Sequence, residues 1–60
     1  MNIQAYLYGA VITCKVITPK EMYAMNIAYV ATDYESDKFH RYIDIYESEE
    51  DDSFYAIFGF

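Results

Sequence analysis

Along residues 3 to 8 apolar and polar side chains alternate, with Ile3, Ala5 and Leu7 on one side of an extended chain and Gln4, Tyr6 and Tyr8 on the other. After Gly9 and Ala10 the parity reverses. Ile12, Cys14 and Val16 then oppose Val11, Thr13 and Lys15, as expected for a hairpin in which Gly9 opens a two-residue turn of the II′ type. In that register Leu7 faces Ile12, Ala5 faces Cys14 and Ile3 faces Val16. One long strand with a bulge at Gly9 reverses the parity as well, and the pattern alone leaves that alternative open.

The next segment changes period. Thr18, Pro19, Lys20 and Glu21 form a helix-start signal. Thr18 takes the N-cap, Pro19 the first helical position where its missing N–H is harmless, and Glu21 the third position that completes a capping box. The composition that follows predicts a helix from 19 to about 31. At 100° per residue, Met22, Met25 and Tyr29 make one stripe and Tyr23, Ile27 and Val30 another, with Asn26 between them. Such a helix is apolar nearly all round and needs cover on more than one side.

Residues 32 to 37 read as a polar connection. Alternation resumes over 39 to 47, where Phe39, Ile43 and Ile45 oppose His40, Tyr42, Asp44 and Tyr46. A charged loop, Ser48 to Ser53, precedes a last apolar strand from 54 to 60. Pairing the last two strands across that loop sets Ile45 against Ala56 and Ile43 against Phe58 on one face, and Tyr46 against Tyr55 and Asp44 against Ile57 on the other. The expected fold is a single α+β domain. Its plan is ββαββ, with βαββ as the alternative: a four-stranded, mainly antiparallel sheet with one helix packed on its inner face.

Sixty residues bury only about 60% of the unfolded surface, so oligomerisation is a natural supplement. A homodimer is expected here, because the helix and a last strand carrying Phe54, Ala56, Ile57, Phe58 and Phe60 both offer apolar area. Cys14 is the single cysteine, which excludes an intramolecular disulfide and suits a reducing cytoplasm. The N-terminus has no basic start, and the apolar run broken by Gln4 and Lys15 is too short to span a bilayer, so neither export signal nor membrane segment is read.

Charge changes the picture most. Residues 33 to 53 hold nine carboxylates against Lys38 and Arg41, while the remainder is nearly neutral and the whole chain carries −6. A field of that sign favours a basic protein partner and disfavours direct binding of nucleic acid. Catalysis is not expected: His40 is the only histidine, and no serine or lysine lies in a nucleophile motif. Asp33, Glu35, Asp37 and Asp44 approach the spacing of a calcium loop. Lys38 stands where the turn glycine is required, and no metal or other cofactor is expected.

What remains is a surface. Tyr6, Tyr8, Tyr42, Tyr46 and Tyr55 share the face opposite the expected helix, and tyrosine supplies large contact area with a polar tip. The candidate partner-binding residues are Asp33, Tyr34, Glu35, Asp37, Tyr42, Asp44, Tyr46, Glu47, Glu49, Glu50, Asp51 and Asp52. A short, acidic, tyrosine-rich chain of this kind resembles, as a type, the small inhibitors that phages make against host enzymes. Anti-CRISPR proteins and inhibitors of uracil-DNA glycosylase are examples, several of them DNA-like in charge. The resemblance implies a protein that occupies a basic, nucleic-acid-binding surface of a host enzyme, with carboxylates standing in for phosphates. It carries no family motif, and no functional residue is transferred by it. The competing class is a homodimeric assembly module in which the acid serves only solubility.

Overall fold

A computed structural model describes residues 1–36 and 38–59. The elements are β1 (Asn2–Leu7), β2 (Ala10–Val16), α1 (Pro19–Tyr23), β3 (Ile27–Glu35), β4 (Arg41–Ser48) and β5 (Phe54–Phe58). The five strands form one sheet in the order β1-β2-β5-β4-β3. Only β2 and β5 run parallel; the other neighbours are antiparallel. The expected four-stranded sheet with a helix on its inner face is therefore wrong. There is a fifth strand, and the sheet curls into a half-barrel.

The error has a local cause. The capping box forms as expected: Thr18 Oγ1 accepts from the Glu21 N–H, and Glu21 Oε1 accepts from the Thr18 N–H. Yet the helix stops after five residues. The Ala24 and Met25 N–H groups close i→i−3 bonds onto Glu21 and Met22, a tightening typical of a helix end. Ile27, Tyr29, Val30, Thr32 and Tyr34 then supply the β-branched and aromatic side chains that suit a pleated surface. Strand β3 pairs with β4 from Ile27↔Ser48 to Glu35↔Arg41, and its register shifts between Tyr29 and Ala31. Val30 is the extra residue of this bulge. It moves Ala31, Asp33 and Glu35 onto the face of Ile45 and Ile43, and Thr32 and Tyr34 onto the face of Tyr29, so no period-2 pattern runs through the segment.

The terminal hairpins keep the expected faces. Strand β4 pairs with β5 in the register read from the sequence, Ile43↔Phe58 through Tyr46↔Tyr55. Strands β1 and β2 pair two residues away from the expected register, with Ile3↔Cys14, Ala5↔Ile12 and Leu7↔Ala10. The turn residues are Tyr8 (φ 52°) and Gly9 (φ 80°), and left-handed φ at both positions is the mark of a type I′ turn. A slip of two preserves parity, so Ile3, Ala5, Cys14 and Ile12 still share one face.

That face is the core. Cys14, Ile43 and Ile45 are fully buried, joined by Ile3, Ala5 and Ala56 and flanked by Ile12, Val16, Phe39, Phe54 and Phe58. The curl lets the sheet cover itself, bringing β1 and β3 near each other from opposite edges. Asp33 fastens them: its Oδ2 accepts the Tyr6 N–H at 3.1 Å. The two surfaces expected to drive a dimer are placed differently: residues 27 to 31 lie in the edge strand β3, half-buried or exposed, whereas β5 is a central strand with Ala56 and Ile57 buried. Phe60 lies outside the described residues. No described helix is long and apolar enough to cross a membrane.

Replacing Asp33 by Ala removes the acceptor for the β1 edge and is expected to destabilise the fold by about 1.5 kcal/mol, or roughly 5 to 10 °C in a domain this small. Asp33→Asn, which keeps an acceptor oxygen, should recover part of the loss in a thermal melt. Equal stability of Asp33→Ala and parent would show that the fastening contributes nothing.

Candidate protein-binding surface

Strand β4 places Tyr42, Asp44 and Tyr46 at alternate positions, all on the face away from the core. Register brings Tyr34 opposite Tyr42, Thr32 opposite Asp44 and Tyr29 opposite Tyr46. The rings meet edge-on in both tyrosine pairs: Tyr34 and Tyr42 at 5.0 Å and 65°, Tyr29 and Tyr46 at 5.8 Å and 76°. Such T-shaped pairs contribute about 0.5–1.5 kcal/mol beyond their area and hold the rings in place. Between them runs a polar chain. Thr32 Oγ1 donates to Asp44 Oδ1 at 2.9 Å, and the Tyr29 hydroxyl lies 2.6 Å from Thr32 Oγ1. Because the threonine hydroxyl has one proton and spends it on the carboxylate, Tyr29 must be the donor of the shorter bond.

Three of these tyrosines are held but not covered, and Tyr46 is half-buried. Tyr29 and Tyr42 are each 57% exposed and Tyr34 46%. The connection from β2 to β3 crosses this face, and its capped helix brings Pro19 and Met22 beside Tyr42, Tyr46 and Ile57. They enclose a groove of about 440 Å³ that Asp44, Phe58 and Gly59 complete. Gly59 closes its end, where its N–H donates to the Tyr42 carbonyl at 2.7 Å.

The acids divide into groups. Glu49, Glu50, Asp51 and Asp52 are exposed in the loop after β4, with Glu47 just before them. The loop is ordered by its own side chains: Ser48 Oγ accepts from the Glu50 and Asp51 N–H groups, and Asp51 Oδ1 from the Ser53 N–H at 2.8 Å. That backbone bond, with a smaller contribution from the Ser53 hydroxyl, lowers the Asp51 pKa from its ordinary value. Glu35 sits at the opposite end of β4, where Oε1 accepts from the Lys38 and Phe39 N–H groups. Seven steps along β4 separate the two ends, about 23 Å at roughly 3.3 Å per residue. Asp33 points to the core side and is spent on Tyr6, and Asp37 lies outside the described residues. Among the described residues the carboxylates form no single continuous row.

Of the expected tyrosines, Tyr42, Tyr46 and Tyr55 share the outer face of β4 and β5, whereas Tyr6 lies across the closure of the curl beside Asp33 and Tyr34, and Tyr8 sits in the turn of the first hairpin. Tyr29, Thr32 and the wall of Pro19 and Met22 were missed, because each reaches the patch through β3 or the crossover. Cys14 is fully buried, and its pKa is raised by burial first and by the nearby Asp33 charge second. Its thiol is a core group rather than a nucleophile. No cluster of three potential metal ligands occurs among the described residues. Comparison with protein-family models, curated proteins and solved structures yields no match.

The Asp51 bonds give the loop a pH signature. With a folded pKa below the unfolded one, the carboxylate's contribution is complete above the unfolded value and is lost as pH falls through the folded value. An NMR titration should find Asp51 titrating below the ordinary aspartate range, with the Ser53 amide shift following the same curve. A midpoint at the ordinary value would show that the loop is not ordered in this way.

Proposed function

We propose that the chain is a small acidic binding protein that occupies a basic, nucleic-acid-binding surface of a protein partner and competes there with nucleic acid. The observation that carries this reading is the patch on β3 and β4. Four tyrosines are locked edge-on in pairs, three of them exposed and Tyr46 half-buried, beside an ordered loop with four consecutive carboxylates. Exposed aromatic area on a rigid sheet is the chemistry of a binding anchor, since little side-chain entropy is left to lose.

The division of the acids assigns separate roles. Carboxylates at two ends of the sheet steer a basic surface towards the molecule, an effect that acts mainly on association. Tyr34, Tyr42 and Tyr46 lie between those ends and supply contact area that resists dissociation. Mimicry of a regular phosphate row is not part of this reading, because Asp33 and Glu35 are engaged in holding the chain's own backbone.

The test is kinetic. A partner captured from lysate with the chain as bait serves as the analyte, and duplex DNA is then added as competitor. Joint replacement of Glu49 and Glu50 by Gln and of Asp51 and Asp52 by Asn should slow association about tenfold at low salt, a gap that closes at high salt. Tyr42→Ala should instead speed dissociation about 30-fold, the equivalent of roughly 2 kcal/mol. A loop variant that associates like the parent at every salt concentration would exclude the steering role. Failure of DNA to compete would exclude the basic surface.

A further inference from the structure

We infer that the groove between Tyr42 and Tyr46 is a pocket for one arginine side chain of the basic partner. The inference rests on the binding role proposed above and adds the anchor residue. Tyr42 and Tyr46 stand about 13 Å apart along β4 with Asp44 midway, so a carboxylate is framed by two aromatic rings. Asp44 Oδ1 takes the Thr32 hydroxyl. Oδ2 has no donor among the described residues, and no buried side-chain oxygen is left unsatisfied, so Oδ2 is open to solvent in the groove.

Among the described residues no basic side chain lines the groove to pair with that oxygen. Arg41, at its margin, is engaged elsewhere: its guanidinium lies 5.0 Å from the Phe58 ring centre and donates to the Gly59 carbonyl at 3.1 Å. A volume of about 440 Å³ is ample for one long side chain. Its apolar walls suit a methylene stem, its aromatic rings suit a delocalised cation, and its open carboxylate oxygen suits a charged donor. Arginine meets all three requirements, and its planar, weakly hydrated guanidinium is easier to desolvate against tyrosine than an ammonium. The pinned Tyr29–Thr32–Asp44 chain holds the carboxylate ready for it.

The experiment titrates the isotope-labelled full chain with N-acetyl-arginine amide, and with the neutral isostere N-acetyl-citrulline amide as control. The arginine probe should give saturable, millimolar shifts in the Tyr42 and Tyr46 ring signals and the Asp44 amide, at least tenfold stronger than citrulline. Asp44→Asn keeps an acceptor for Thr32 and should weaken the arginine response about tenfold. Tyr42→Leu provides the same comparison if Asp44→Asn does not fold. Equal responses to arginine and citrulline, or undiminished binding by both variants, overturn the pocket. Shifts confined to Glu49, Glu50, Asp51 and Asp52 also overturn it but leave the basic partner standing. If an oligoarginine peptide produces no saturable shift anywhere, the basic-partner reading falls with it.

Discussion

A chain of this length can build one layer of sheet, and a single flat layer has no way to bury its apolar face. The curl of the sheet resolves that constraint, and the other features follow from it. Because β1 and β3 approach each other from opposite edges, Ile3 and Ala5 join Ile43 and Ile45 in one core with no helix above them. An edge N–H on β1 that would otherwise face only solvent finds the Asp33 carboxylate. Releasing the inner face from a helix also frees the crossover to lie outside. There Pro19 and Met22 form a groove wall instead of a core layer.

How much of this was legible depends on the range of the information. Alternation on either side of Gly9 and along β4 and β5 is written in adjacent residues, so the faces of Cys14, Ile43, Ile45 and Tyr46 could be read directly. The capping box of Thr18 and Glu21 was equally local and formed as read. Its length was not local. Met22, Ala24, Met25 and Ala28 tolerate a helix, and the bulge at Val30 erased the alternation that would have announced β3. The strand is decided by pairing with β4, an interaction between segments that a single window does not contain.

The candidate site shows the same boundary. Tyr42, Asp44 and Tyr46 were visible as alternate positions on one strand, and Glu49, Glu50, Asp51 and Asp52 as a charge run. Tyr29 and Thr32 could not be placed beside them while residues 27 to 31 were read as helix. Their contribution is to turn exposed side chains into a fixed array: two edge-on ring pairs with a hydrogen-bonded chain from Tyr29 through Thr32 to Asp44 between them. Rigidity of this kind is what distinguishes an anchor surface from tyrosines that are merely solvated.

Everything on the outer face thus depends on residues 27 to 35 being a strand of the curled sheet. A nuclear Overhauser spectrum of the labelled chain tests that most directly. The account requires cross-strand contacts between the Tyr34 and Tyr42 rings and between the Tyr29 and Tyr46 rings, together with strand-type sequential contacts on both sides of Val30. Helical i to i+3 contacts continuing from Met22 through Ala31, with the Tyr29 ring remote from Tyr46, would contradict it.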